Sequence, residues 1–116
     1  MKFYLLNDTV VTSENAITIE GARELLPNST DAAGEKHVPV AEVNGSTVMV
    51  KVGSVEHPML AAHFIQWIML ETNQGVQRKP LQPEEKPQAV FALAEAEIPV
   101  AAYEYCNLHG LWCAKL

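Results

Sequence analysis

Cys106 and His109 stand three residues apart in the run Cys106-Asn107-Leu108-His109. On a tight turn both can reach one metal ion, the thiolate as the soft, charged ligand and the imidazole as the neutral one. The same pair would equally suit a buried cysteine beside an unrelated loop histidine. The rest of the chain's 4 histidines lie upstream: His37 in Glu35-Lys36-His37-Val38-Pro39, His57 before Pro58, and His63. Regular helix would turn His57 and His63 about 240° apart. Straight strand would separate them by roughly 20 Å. They can share an ion only if the chain turns between them, and Pro58 permits that. Taken singly, each histidine is also what an ordinary core or surface histidine looks like.

The elements that must position these side chains read mostly as β. Val48, Val50 and Val52 alternate with Thr47, Met49 and Lys51, the period-two signature of a half-buried strand. Asn44-Gly45 predicts a two-residue hairpin turn joining that strand to Val38–Val43. Val76–Leu81, Gln88–Leu93 and Ile98–Tyr105 are further predicted strands. Pro83-Glu84-Glu85-Lys86-Pro87 reads as a loop, because proline cannot donate to a ladder. Several short strands joined by turns favour a sandwich or barrel. Pro58–Glu71 stays open between helix and strand: Pro58 suits a first helical turn, and Leu60, Phe64 and Ile68 share a helical face. Near the N-terminus, Tyr4–Leu6, Val10–Thr12 and Ile17–Ile19 are predicted short strands. Residues 21–27 read as one helical turn, and Asn28–Gly34 as a polar linker.

Composition narrows the function classes. The chain of 116 residues is the size of one domain. Its formal net charge of −6, without a basic cluster, argues against nucleic-acid binding. No apolar run approaches the ~20 residues of a membrane span, and no signal peptide is read at the start. The expected location is therefore cytoplasmic. The 2 cysteines do not make a disulfide framework.

Taken together these segments resemble the superoxide reductases, meaning the neelaredoxins and the catalytic domain of the desulfoferrodoxins. The resemblance is carried by Glu-Lys-His-Val-Pro-Val at 35–40, Lys-Val-Gly-Ser-Val-Glu-His-Pro-Met at 51–59, His63, the Trp67 region, and Ala-Tyr-Glu-Tyr-Cys-Asn-Leu-His-Gly-Leu-Trp at 102–112. It covers about 34–113 and uses every histidine in the chain.

The resemblance implies an all-β, immunoglobulin-like β-sandwich over 34–116, with a small N-terminal β appendage over 1–33. It implies one mononuclear iron, with His37, His57, His63 and His109 as equatorial ligands and Cys106 as the axial one. Residues 58–71 would then be a ligand loop running into a strand, with a helical turn kept within 58–63. Lys36 would guide superoxide and organise the protonating water, and Glu35 would fill the sixth position of the ferric site. The implied reaction is one-electron reduction of superoxide to hydrogen peroxide. The implied reductant is rubredoxin or a similar carrier, and the assembly a homo-oligomer, a dimer or tetramer.

Two features depart from the family pattern. Met1-Lys2-Phe3-Tyr4-Leu5 and Glu24-Leu25-Leu26-Pro27-Asn28 look similar to the N-terminal desulforedoxin-like domain of desulfoferrodoxins, whose iron needs four thiolates. Only Cys106 and Cys113 are present here, so a metal-free remnant with a structural or dimer-forming role is expected. Cys113 falls on no family ligand position and reads as a free thiol. Three rival readings remain. A metal-binding electron-transfer protein without reductase activity would keep the same ligands. A blue-copper carrier would use two histidines, one cysteine and usually a methionine beyond the loop histidine, which Gly110-Leu111-Trp112 does not offer. A structural zinc module would close at four ligands, one fewer than the candidates here.

Overall fold

The computed structural model describes residues 1–116. In chain order the elements are β1 (Lys2–Leu6), β2 (Thr9–Ser13), β3 (Arg23–Leu25), the helical turn α1 (Gly34–His37), β4 (Pro39–Asn44), β5 (Thr47–Val52), β6 (Ile65–Thr72), β7 (Gly75–Pro80), β8 (Gln88–Ala92), β9 (Pro99–Cys106) and β10 (Gly110–Lys115). All strand pairs are antiparallel.

The alternation in β5 does what it predicts. Val48, Val50 and Val52 are buried while Thr47 and Lys51 face solvent. The hairpin from β4 closes on Gly45 and Ser46, one residue later than Asn44-Gly45, since Asn44 pairs with Thr47. Gly45 takes the positive φ of 61° that a tight hairpin requires at its first central position. Sheet β4-β5-β8 faces sheet β10-β9-β6-β7. Val48, Val50, Ala89 and Phe91 from the first meet Ile68, Leu70 and Ala102 from the second, with Cys106 in the same cluster. This is the expected sandwich. Each large side chain so buried contributes roughly 1.5–3 kcal/mol.

A third sheet, β2-β1-β3, makes a further layer. Phe3, Val10 and Leu25 pack on Trp67, Met69, Tyr103, Tyr105 and Leu111, with the Phe3 and Tyr103 ring centroids 4.8 Å apart. Strands β6 and β9 are thus covered on both faces.

Several expectations need correction. The stretch expected as a helical turn at 21–27 contains strand β3, because Leu25 is needed under the third sheet. Ile17–Ile19 forms no strand; the Ile17 amide instead donates to the Tyr4 hydroxyl at 3.0 Å. The end of the expected linker winds into α1. Strand β10 was not anticipated. Residues 58–63 hold no helical turn: Leu60 and His63 exchange backbone hydrogen bonds of 2.9 Å each way, a tight β-type turn that leads into β6. No helix is long and apolar enough to cross a membrane.

Candidate metal centre

Three separate connections deliver the candidate ligands to one end of the sandwich. His37 closes α1, just before β4. His57 follows β5, and its amide bonds back to the Val52 carbonyl at 3.0 Å. His63 ends the Leu60–His63 turn. Cys106 is the last residue of β9 and His109 precedes the first of β10. Gly110, at φ 79°, lets that turn close.

The four imidazoles form a square. Ring centroids are 4.7 Å apart for His37–His57, 4.7 Å for His57–His63, 5.1 Å for His63–His109 and 4.9 Å for His109–His37. The His37–His63 diagonal is 6.5 Å. Neighbouring rings stand at 76–89° to one another. One potential ligand atom from each of His37, His57, His63 and Cys106 lies within 4.8 Å of the others. Cys106 Sγ is 3.6 Å from His57 Nε2 and 3.9 Å from His109 Nδ1. Cys106 is fully buried, whereas His63 and His109 are half-buried. The sulfur therefore enters from the protein interior.

The hydrogen bonds say what belongs at the centre. His37 Nδ1 donates to the Ala33 carbonyl at 2.8 Å, and His57 Nδ1 to the Pro58 carbonyl at 2.6 Å. Each bond fixes the tautomer and leaves Nε2 as a bare lone pair. These two Nε2 atoms face each other at 3.2 Å. Two acceptors cannot bond to one another, and His63 Nε2 is buried with no partner at all. A shared cation answers all three. Burial, together with the other histidines, lowers the pKa of His37 and His63 and brings His57 down to about 4. The rings are thus neutral, as metal binding needs. Burial raises the Cys106 thiol, opposed by hydrogen bonds from the Leu108 and His109 amides. A bound cation would favour its thiolate form. A nitrogen-rich set with one thiolate suits a borderline transition metal such as ferrous iron.

Three supporting residues escaped the sequence reading. Asn107 ties two ligand-bearing turns together: the Phe64 amide donates to its Oδ1 at 2.9 Å, and its Nδ2 donates to the Ala62 carbonyl at 3.0 Å. Trp112 stacks on His37 at 5.0 Å and donates from Nε1 to the His109 carbonyl at 3.1 Å. Gly53 lies under the backbone just before His37, where an added Cβ would sit 2.5 Å from the Glu35 carbonyl oxygen. A side-chain amide, an indole and a missing side chain carry no ligand signature, so only the geometry reveals them.

Glu35 and Lys36 are exposed on α1, immediately before His37. Lys36 shares a shallow cavity with His57, Pro58 and Lys86. Cys113 lies across β10, in a groove with Phe3 and Tyr103, and neither cysteine forms a disulfide.

Known proteins resemble this chain in sequence and in fold. The desulfoferrodoxin family model matches residues 29–115. A desulfoferrodoxin of Syntrophotalea carbinolica is 52% identical over 88 residues, 76% of this chain and 68% of that protein. A superoxide reductase of Pyrococcus horikoshii is 35% identical over 72% of this chain and 88% of its own. The crystal structure of the superoxide reductase from Treponema pallidum superposes with a TM-score of 0.88 at 40% identity, covering 99% of both chains. That match runs through the three-stranded N-terminal sheet as well as the sandwich. With sequence, fold and a histidine square over a buried thiol in agreement, the chain belongs to the desulfoferrodoxin family.

Proposed function

We propose that this chain is a superoxide reductase whose mononuclear iron is held by His37, His57, His63, His109 and Cys106. The observation that carries this reading is the set of bare, mutually facing imidazole nitrogens above a buried sulfur. When bound, iron supplies the redox couple: one electron to superoxide, which takes up two protons and leaves as hydrogen peroxide.

The chain's own residues do the rest. Four neutral imidazoles leave the charge of a divalent ion unchanged and one thiolate removes one unit, so the centre keeps about one positive charge. Superoxide is a small anion. It is drawn to that end although the protein's net charge is −6, because nearby charge outweighs distant charge across a screening length of ~8–10 Å. Lys36 adds to the pull at the rim and orders water for proton delivery. Glu35 offers a hard anionic oxygen suited to the ferric state. Re-reduction falls to rubredoxin or a similar small carrier, in the cytoplasm, with the chain in a homo-oligomer. Residues 1–33 read as a desulforedoxin-like segment without metal, and 34–116 as the iron domain.

The test is metal analysis of anaerobically purified protein, then a superoxide assay following both peroxide and oxygen. Stoichiometric iron, peroxide formation and no released oxygen are expected, with Cys106→Ser abolishing the thiolate-to-iron absorption. Iron that cycles without forming peroxide would make the chain an electron carrier instead.

A further inference from the structure

The cysteine-free N-terminal segment reaches the metal end of the sandwich through one residue. Asn28 lies beyond β3, at φ 59°, a left-handed conformation that asparagine tolerates better than most side chains. Its amide donates to the Leu111 carbonyl at 3.0 Å. Its side chain accepts from the Cys113 amide at 2.8 Å and donates to the Cys113 carbonyl at 3.0 Å. One residue thus pairs with the free edge of β10 as a short strand would. The chain beyond it runs beside the ligand turn: Thr30 Oγ1 lies 3.3 Å from where a Cβ on Gly110 would stand. Strand β10 begins at Gly110, directly after His109.

We propose that Asn28 is a positioning residue for the metal centre: it clamps the first half of β10, and so fixes the Cys106–His109 turn that leads into that strand. The N-terminal segment then holds the ligand turn of the metal centre in place. Asn107 ties that turn to the His63 loop, and Asn28 ties it to the third sheet. The turn is thus bonded to the His63 loop through Asn107 and followed by a strand bonded to Asn28. A ligand donor displaced by a few tenths of an ångström falls outside the ±0.2 Å that metal bonds tolerate.

The inference rests on the metal-centre reading, and its test separates the two. The full chain is titrated with Co(II), whose thiolate charge-transfer band reports the Cys106–metal geometry. Asn28→Gly keeps the positive φ available and removes both side-chain bonds. Val48→Ala serves as a control, because Val48 is fully buried on β5 near the Gly45 hairpin. It lowers stability through a cavity without touching the clamp. The expected result is about tenfold weaker Co(II) binding and a shifted band for Asn28→Gly, as for other groups that orient metal ligands. Val48→Ala should lower the unfolding temperature and leave both readouts in place. Unchanged affinity and band in Asn28→Gly would overturn the clamp, as would equal changes in Val48→Ala. Failure of the wild-type chain to bind Co(II) would overturn the metal-centre reading, and the clamp with it.

Discussion

Gly53→Ala tests the site more sharply than removal of any ligand, because it touches no donor atom. The new Cβ would stand 2.5 Å from the Glu35 carbonyl oxygen and 2.9 Å from the Lys36 carbonyl carbon. Both are backbone atoms, so no side-chain rotation can relieve the overlap. Ordinary separation of ~3.5 Å requires the two segments to part by about 1 Å. That movement pulls the Glu35 carbonyl from the Val55 amide, now at 2.9 Å, and from the Ser54 hydroxyl, at 3.3 Å. It also carries His37 away from the other three rings. Overpacking of this kind costs about 1–3 kcal/mol, and a lost hydrogen bond about 0.5–1.5 kcal/mol more. The metal-free variant should therefore unfold at least ~5 °C below wild type. Affinity for ferrous iron or Co(II) should fall by tenfold or more, since metal sites tolerate bond-length changes of only about 0.2 Å. Gly45→Ala is the contrast. It meets no atom within 4 Å but keeps φ at 61°, so it should cost about 1–2 kcal/mol of stability and leave metal affinity alone. Calorimetry of the metal-free proteins and anaerobic metal titration read both quantities. If Gly53→Ala binds metal as wild type does, the close packing of Gly53 against Glu35 does not hold His37 in place.

Two further outcomes follow from charge. Lys36→Ala should retain iron and slow superoxide association by roughly tenfold, with a shallower salt dependence, as expected for loss of electrostatic steering; an unchanged rate and salt dependence by stopped flow would remove Lys36 from the mechanism. Glu104 is fully buried on β9 with neither carboxylate oxygen hydrogen-bonded, and burial raises its pKa well above the usual carboxyl range. Its folded pKa exceeds its unfolded one, so its contribution to stability is complete below the unfolded pKa and is lost as pH rises through the folded pKa. His57, lowered to about 4, acts oppositely: the metal-free protein gains stability as pH rises from ~4 to ~6.5. Between pH ~4.5 and ~6.5 the two effects oppose each other, and the lowered His37 and His63 tip the balance towards a shallow rise. Urea midpoints of the metal-free protein should therefore rise gently to near pH ~6.5 and then decline, and Glu104→Gln should steepen the rise and flatten the decline. A decline that persists in that variant would assign it to another group.

How much of this was legible in the sequence depends on how many faces each strand buries. β5 buries one face, and its valine alternation announces it. β6 buries Ile68 and Leu70 in the sandwich and Trp67 and Met69 beneath the third sheet. A strand covered twice has no period-two signal and cannot be told from a buried helix segment by pattern alone. The register shift between Ile65 and Trp67 blurs it further. β10 escaped for a related reason. Its Gly-Leu-Trp-Cys-Ala-Lys run alternates weakly, and it is held in part by Asn28, eighty-five residues away from Cys113 in sequence. The ligands were legible because histidine and cysteine are scarce here, and all four histidines and one of the two cysteines converge on the site. The residues that aim them were not, since Asn107, Trp112 and Gly53 act through backbone contacts that no local pattern encodes.

The same double coverage links the N-terminal segment to the chemistry. β6 and β9 lead from the shared interior to the metal: Ile65 and Cys106 face each other at the site end of their ladder, beside the register shift between Ile65 and Trp67. A strand packed on both faces has little freedom to twist, so β9 brings Cys106 to the site on a support covered by the sandwich core on one side and by Phe3, Val10 and Leu25 on the other. The third sheet is then more than a cover. It supplies the second face that a rigid β9 requires, and through Asn28 it reaches the far limb of the same ligand turn.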